Sequence, residues 1–178
     1  MSGFLFPDNT VLCNFAAVER LDLLKSVLNS RGRWVSAVER EARMSATKLP
    51  ALRSLLHEGW LDEPIEIDPT EARSIDRVRR IVFGGSAARP RQHLGEAETC
   101  YVILHRPGFR ESWWLSDDRE AVRYARDQHI TTRETIDVMS MAVVNGDISS
   151  RDGYVLMNQM ADRDRYLRLP SSADDLRR

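Results

Sequence analysis

The sequence predicts an α/β fold with a mainly parallel central sheet. Short apolar runs that are typical of strands alternate with amphipathic runs of about ten residues that are typical of helices, which is the pattern of βαβ units. The chain has 178 residues, of which 42% are hydrophobic, so one ordinary core can form. No repeat, low-complexity tract or long linker rich in Pro, Gly or Ser divides the sequence.

The candidate strands are short and are bounded by polar residues, glycine or proline. Each consists mainly of apolar residues, as buried strands of a parallel sheet do. In chain order they cover residues 3–6, 33–35, 64–67, 112–115 and 129–130. Because helical segments separate them, we expect the strands to run parallel.

Helices are predicted between the strands by apolar residues at helical spacing. Residues 68–71, Asp-Pro-Thr-Glu, combine an N-cap, a proline at the first helical position and a glutamate three residues after the cap. We expect the helix that they start to end near Phe83, before Gly84 and Gly85. The other helices are predicted at residues 12–28 in two segments, 38–42, 49–57, 94–104, 118–125 and 131–144, and after residue 149.

The last three of these helices have polar start signals. Asp118 is the expected N-cap of the first, and Ser149 with Asp152 opens the last. Thr131 and Glu134 have the spacing of a capping box for the helix predicted at residues 131–144.

The charge composition excludes some classes of protein and leaves others open. The formal net charge is −1, and 24 of the 26 lysines and arginines are arginines, since only Lys25 and Lys48 are lysines. Arginine prefers planar partners such as carboxylates and phosphates, but the balance is not basic enough to identify a nucleic-acid-binding protein.

Compartment is predicted from hydropathy and from the cysteines. No apolar run approaches the ~20 residues that span a bilayer, the mean hydropathy is −0.42, and we expect neither a membrane span nor a secretory signal. Cys13 and Cys100 lie in apolar segments, which is typical of buried, reduced thiols in a cytoplasmic protein.

Acidic residues follow two of the predicted strands directly. Asp8 follows the first strand, and Asp117 and Asp118 follow the strand at 112–115. Ligands of open α/β sheets bind outside the carboxyl ends of the strands, so these acids face one crevice if the strands are neighbours. Asp8 and Asp118 are also suited to be helix N-caps.

Helical glutamates supply further candidates. One is Glu39 or Glu41 after the second strand, and the other is Glu96 or Glu98 at the start of the helix near residue 94. Each also fits an ordinary helix surface or a helix N-terminus. Carboxylates that crowd together need a cation to stay ionised, and hard oxygen ligands suit Mg²⁺ or Mn²⁺, which can activate water against a phosphodiester.

The motifs and their order resemble those of the PIN domain. Residues 8–15, Asp-Asn-Thr-Val-Leu-Cys-Asn-Phe, resemble the opening of the family, and residues 38–41, Val-Glu-Arg-Glu, resemble its V-x-x-E position. Residues 95–99, Gly-Glu-Ala-Glu-Thr, are similar to the GEAE segment of the branch related to VapC-type toxins. Residues 117–125 resemble its D-D-x-x-A-R-x-x-A segment, with Val-Arg where A-R is usual, and residues 131–132 stand where a Thr-led segment begins.

This resemblance implies a three-layer α/β/α sandwich and metal-dependent cleavage of RNA, often by the toxin of a toxin–antitoxin pair. It implies Mg²⁺ or Mn²⁺ as cofactor and a set of catalytic acids, which are Asp8, Glu41, Glu96 and Asp117. The implied metal ligands are Asp8, Glu96, Asp117 and Asp118. Residues that could orient a ligand are Thr10, Glu98 and Thr131.

The implied partners are an RNA substrate, a cognate antitoxin protein and a second copy of the chain in a homodimer. Arginines around the glycine pair could hold an RNA backbone, although they also fit a solvated helix face and loop. They are Arg79, Arg80, Arg89 and Arg91.

The resemblance covers roughly residues 4–149. We therefore expect a nuclease domain over residues 1–149 and a C-terminal helical extension over residues 150–178. The extension has no family role that the resemblance supplies, and its polar end, residues 171–178, is expected to fray.

Two other functions are compatible with the sequence. Asn9 stands where threonine is frequent in the family, and the second acid is ambiguous, so the fold could instead be a catalytically inactive RNA- or protein-binding module. A phosphatase with Asp8 as nucleophile is disfavoured, because Thr10 replaces the second acid that such enzymes generally carry. No serine-nucleophile or P-loop pattern is present. The histidines lack zinc-site spacing and are interpreted as structural or surface residues; they are His57, His93, His105 and His129.

Overall fold

The computed structural model describes residues 3–177 and has a parallel sheet at its centre. Its strands are β1 (Leu5–Pro7), β2 (Trp113–Leu115) and β3 (Thr131–Arg133), in the spatial order β1-β2-β3. Phe6 pairs with Trp114, and Trp114 pairs with Thr132. Helices connect and cover these strands, so the structure confirms the predicted α/β sandwich with a parallel sheet.

Nine α-helices are present in the part of the chain that the structure describes. They are α1 (Asn9–Ala17), α2 (Leu21–Leu28), α3 (Ser36–Ser45), α4 (Leu52–Glu58), α5 (Ala72–Ile81), α6 (Leu94–His105), α7 (Arg119–Asp127), α8 (Thr135–Asn145) and α9 (Ser150–Asp162). Two short 3₁₀ helices cover Pro107–Phe109 and Ala173–Arg177. None of the helices in residues 3–177 is long and apolar enough to span a membrane.

The core surrounds the sheet and α1. Phe6 and Trp114 are fully buried in the sheet, and Phe15 is fully buried on α1. Burying a side chain of this size stabilises the fold by about 1.5–3 kcal/mol. Cys13 and Cys100 are buried and free, as their apolar surroundings in the sequence predict.

Two predicted strands are wrong. Residues 33–35 and 64–67 share only one bridge, between Val35 and Ile65, and Gly32 just before them forms a single bridge with Leu5. The chain enters α3 at Ser36 immediately after the bridge at Val35, so no extended residues remain to continue the pairing.

The prediction for the last strand is displaced along the chain. Residue His129 has a positive φ of 61° and Ile130 donates its N–H to Ala125 at the end of α7, so the strand starts only at Thr131. The predicted capping box is displaced with it. Glu134 and Asp137 exchange the two capping bonds of α8.

The start signals of three other helices have different outcomes. Asp118 caps α7 through the N–H of Ala121, and Ser149 caps α9 through the N–H of Asp152, so both predictions are confirmed. At residues 68–71 the N–H of Asp68 donates to Glu71 and the N–H of Thr70 donates to Asp68, but these bonds close a turn and do not start a helix. The helix α5 begins after this turn, at Ala72, and ends at Ile81, before Phe83.

The C-terminal segment is not frayed, contrary to the prediction from its polarity. The 3₁₀ helix at Ala173–Arg177 packs against α8 and α9, and Leu176 is 0% exposed. A single apolar residue within the polar run therefore attaches it to the core. Residues 1–2 and 178 of the predicted domains lie outside the described residues.

Candidate active site

The carboxyl ends of the three strands bring polar residues together at one edge of the sheet. Asp8 follows β1, Ser116 and Asp117 follow β2, and Thr135 lies just after β3. Asp8 donates its N–H to the carbonyl of Leu115 at 2.8 Å, and Ser116 donates its N–H to the carbonyl of Arg133 at 2.9 Å. Sheet-like bonding thus continues beyond the strands and fixes these residues at the edge.

Asp8 is buried and receives several hydrogen bonds. Its carboxylate accepts from the N–H of Asn9 at 2.8 Å, so it is the N-cap of α1. Its other oxygen accepts from the hydroxyls of Thr10 at 3.0 Å and Ser116 at 3.1 Å. The cap and the position at the sheet edge are therefore two properties of the same carboxylate.

Two glutamates lie near Asp8 and form with it what we call the acidic cluster: Asp8, Glu41 and Glu96. Burial, together with the charge of Glu96, raises the pKa of Asp8 to about 7. Burial, together with the charges of Asp8 and Glu96, raises the pKa of Glu41 to about 8. At neutral pH the cluster therefore retains protons that ordinary surface carboxylates would lose.

Gly95 makes room for one member of the cluster. A Cβ atom at this position would lie 3.1 Å from Glu41 Oε1 and 3.3 Å from Oε2. The N–H of Gly95 also donates to the Glu41 carboxylate and partly opposes the rise in its pKa. The glycine of the Gly-Glu-Ala-Glu segment thus permits the close approach of α3 to the start of α6.

Asp117 is held in place by α1 and α8. Its Oδ1 accepts from the N–H of Thr135 at 3.0 Å, and its Oδ2 accepts from the Thr135 hydroxyl at 2.5 Å and from Asn14 Nδ2 at 2.8 Å. Burial raises the pKa of Asp117, and the bonds from Thr135 oppose this. Thr10 connects Asp117 to the acidic cluster, because its hydroxyl accepts from the N–H of Asp117 at 3.4 Å and donates to Asp8.

Asp118 is engaged as a helix cap. Its Oδ1 accepts from the N–H of Ala121 at 2.9 Å, while its side chain also lines the cleft beside Asp117.

Of the alternative glutamates, Glu39 and Glu98 are engaged elsewhere. Glu39 pairs with Arg43 one turn along α3. Glu98 accepts from the N–H of Ala37 at 3.0 Å and lies 3.8 Å from Arg40 Nη2, so it caps the start of α3. Glu41 and Glu96 are therefore the two whose charges act on one another and on Asp8. Glu98 supports the start of α3, and its predicted role in orienting a ligand stays a prediction.

Thr131 does not lie near the acids. It is exposed at the first position of β3, opposite Trp113, which is the other end of the sheet. The prediction placed Thr131 at the start of a helix, but that helix, α8, begins at Thr135. Thr135 is the threonine that contacts Asp117.

Arg79 is buried, and the prediction that it contacts RNA is wrong. It is 1% exposed, and its guanidinium donates to Asp76 and to the carbonyls of Ser86, Arg89 and Gln92. It therefore holds the loop that leads into α6. The other predicted arginines are more accessible: Arg80 is partly paired with Asp76, and Arg89 and Arg91 are exposed on the loop.

Several residues at the site carry no motif in the sequence. Asn14 is 1% exposed and donates to Asp117 while accepting from Arg165 Nε at 3.1 Å. His93 Nδ1 lies 3.1 Å from Glu96 Oε1. A polar asparagine on the apolar face of a predicted helix is a signal that could have identified Asn14, whereas the contact with Arg165 joins distant parts of the chain.

A cleft lies against Asp117 and encloses about 670 Å³. Its walls contain acids, arginines and a tyrosine. The lining residues are Thr10, Asp117, Asp118, Arg119, Glu134, Arg165, Tyr166, Leu167 and Arg168. Within residues 3–177, no three His, Cys, Asp or Glu side chains converge to a metal-binding arrangement.

A parallel α/β sheet with acids at its carboxyl edge is an arrangement in which ligand sites are commonly found. A family model described as a PIN domain matches residues 6–172. Because the match covers most of the chain, the chain belongs to the PIN-domain family, whose members are generally nucleases. No curated protein and no solved structure matches the chain.

Proposed function

We propose that the chain is a metal-dependent endoribonuclease that hydrolyses RNA phosphodiesters. The observation that supports this most directly is the acidic cluster at the carboxyl edge of the sheet, in which Asp8 is buried and the two glutamates are half-buried. In the described part of the chain, no lysine or arginine forms an ion pair with Asp8, Glu41 or Glu96. A divalent cation is the counterion that would allow all three to be ionised.

The donor set fits Mg²⁺ or Mn²⁺, because carboxylate oxygens are hard ligands. Asp8, Glu41, Glu96 and Asp117 are the residues that would hold the ion, with Asp118 beside them at the cleft. Among residues 3–177 no three of these side chains already have the geometry of metal ligands, so binding would require their carboxylates to turn toward the ion. When bound, such an ion supplies Lewis-acid polarisation of the phosphodiester and a more acidic water.

The residues around the acids would orient them for this role. Thr10 and Ser116 donate to Asp8 and fix the direction of its carboxylate. Thr135 and Asn14 do the same for Asp117. Preorganised carboxylates of this kind reduce the reorganisation that the reaction requires.

Cleavage of a pool of single-stranded RNA tests the proposal. Wild-type protein should cleave with Mn²⁺, and EDTA should stop cleavage. Glu41→Gln removes one carboxylate of the cluster and should lower the rate at least about 100-fold, the scale of a lost electrostatic group in an active site.

Glu39→Gln is the matched control, because it removes a carboxylate two residues away on the same helix. It should cleave as the wild type does. Cleavage that persists in EDTA, or equal cleavage by Glu41→Gln and wild type, would contradict the proposal.

We further propose that this ribonuclease is the toxin of a toxin–antitoxin pair and acts in the cytoplasm. Its proposed partners are a cognate antitoxin protein and a second copy of the chain in a homodimer. The support is the similarity of residues 95–99 and 117–125 to the VapC-related branch. Induced expression in a bacterial host should arrest growth, and expression of Glu41→Gln should not. Equal growth of both strains would contradict a toxin.

A second candidate is an inactive module of the same fold that binds RNA or protein. It is favoured by the hydrogen bonds that already engage both Asp8 and Asp117. RNA binding without Mn²⁺ binding or cleavage would select this candidate.

A further inference from the structure

The segment after α9 runs along the cleft and is fixed at several points. Arg163 donates to the carbonyl of Ala17 at the end of α1. Arg165 donates to Asn14, the residue that also holds Asp117. The C-terminal extension, residues 150–178, therefore supplies one wall of the candidate active site.

Consecutive side chains of this segment all line the cleft but differ in exposure. Leu167 packs against the core, and Arg165 donates through Nε to Asn14. Tyr166 lies between them and is 92% exposed. The contacts of its two neighbours therefore fix the backbone from which the exposed side chain of Tyr166 projects at the cleft.

Tyr166 is placed differently from an ordinary exposed residue. Single exposed apolar residues are common and need no explanation, but Tyr166 lines the same cleft as Thr10 and Asp117. No hydrogen bond or ring contact engages its side chain within the described residues. Its aromatic face is thus free beside the acids on an anchored backbone.

The cleft also contains cationic groups suited to phosphate. Arg119, at the start of α7, forms no ion pair among residues 3–177, and Arg165 has only the neutral Asn14 as partner. Arg168 is instead committed to Glu134 at 3.1 Å. The guanidiniums of Arg119 and Arg165 are therefore available to an anionic ligand, in the same cleft as the exposed ring of Tyr166.

We propose that this wall binds single-stranded RNA, with one unpaired base stacked on Tyr166 and the backbone phosphates contacted by Arg119 and Arg165. Aromatic side chains stack unpaired bases with little sequence preference, and arginines bind the phosphates beside them. Paired bases in a duplex do not offer this face. The inference rests on the proposed ribonuclease function, because it places the substrate strand next to the acidic cluster.

The test is the binding of a labelled single-stranded RNA oligonucleotide, measured by fluorescence anisotropy in the Glu41→Gln background with Mg²⁺ so that cleavage does not interfere. Adding Tyr166→Ala should weaken binding about tenfold, the scale of one lost stacked base. Tyr166→Phe keeps the ring and should bind within about twofold of the parent. Leu169→Ala, a change at a partly exposed apolar residue outside the cleft, should have no effect.

Arginine variants test the phosphate contacts. Arg119→Gln should reduce the slope of log Kd against log salt by about 0.7, the value for one phosphate contact of a single strand. Arg123→Gln, one turn along α7 and outside this cleft, is the control and should keep the slope.

Equal RNA affinity of Tyr166→Ala and the parent would overturn the inference. An equal loss in Tyr166→Phe, or equally tight and Tyr166-sensitive binding of duplex RNA, would overturn it too. So would a Tyr166→Ala variant that changes only the oligomeric state, since that assigns the ring to a contact between copies.

The failure of this inference is distinguishable from the failure of the proposed function. If the wild type cleaves RNA with Mn²⁺ but Tyr166→Ala leaves both affinity and KM unchanged, only the binding wall is wrong. If Tyr166-dependent binding persists without any cleavage, the binding wall stands and the ribonuclease proposal is wrong.

Discussion

At the scale of single residues, the account depends on how burial and like charge act on the acidic cluster. The pKa of Glu41 is raised to about 8 and that of Asp8 to about 7. Both groups favour the protonated form in the folded state, whereas in the unfolded chain they ionise near their ordinary values. Their contribution to stability is therefore present at acid pH and is lost as the pH rises through the raised values.

This argument predicts how Glu41→Gln changes stability with pH. In the wild type, the free energy of unfolding should fall by about 1.4 kcal/mol per pH unit for each such proton, from about pH 5 to the raised pKa, which is about 7 for Asp8 and about 8 for Glu41. The glutamine variant lacks this term, so it should be more stable than wild type at pH 8, with the difference shrinking toward pH 5. Denaturant unfolding without metal, at pH 5 and pH 8, measures the free energy of unfolding of the wild type and of Glu41→Gln. Glu39→Gln is the control. A Glu41→Gln variant that is less stable than wild type at pH 8 would contradict the raised pKa.

At the scale of elements, part of the structure could be predicted and part could not. The apolar runs at β1 and β2 and the acids that follow them are local signals, so the position of Asp8 and Asp117 at one sheet edge was predictable. The strand β3, Thr-Thr-Arg, has no apolar run, so its position was predicted too early in the chain. The contacts of Asn14 with Asp117 and Arg165 join residues more than a hundred positions apart, and no spacing in the sequence encodes them.

Arg79 and Arg80 give a matched prediction at this scale. Both lie on α5, but Arg79 is buried and donates to carbonyls of the loop before α6, whereas Arg80 is half-exposed. Removing Arg79 deletes a buried, charged donor that bonds three loop carbonyls and Asp76. Arg79→Ala should therefore lower the free energy of unfolding by about 2–4 kcal/mol, and Arg80→Ala by at most about 1 kcal/mol.

Denaturant unfolding and hydrogen exchange of residues 84–92 measure this difference. Faster exchange of that loop in Arg79→Ala alone is the expected result. Equal stability of the two variants would mean that Arg79 does not hold the loop.

At the scale of the whole molecule, the C-terminal extension belongs to the same packed unit as the sheet. The PIN-domain match continues to residue 172, and Leu176 is completely buried near Gly153 and α8. The polarity of this segment predicted a frayed end. The prediction was wrong because an average over the composition of the segment does not show that one apolar side chain, Leu176, is buried.

Leu176→Ala should accordingly destabilise the whole protein. Truncating a buried leucine to alanine costs about 2–5 kcal/mol, and the unfolding midpoint should fall for the sheet as well as for the extension. Leu169→Ala, where the side chain is already 40% exposed, should change stability much less. An unchanged midpoint in Leu176→Ala would show that the extension does not contribute to the common core.

The central claim is that the acidic cluster is a cation site, and calorimetric titration with Mn²⁺ at pH 8 and pH 6 tests it most directly. Asp8 and Glu41 must release protons to bind the ion, so wild-type affinity should be more than tenfold weaker at pH 6. Glu39→Gln should match the wild type, and Glu41→Gln should bind weakly at both pH values. No binding by the wild type at pH 8, or equal affinity at the two pH values, would contradict the claim.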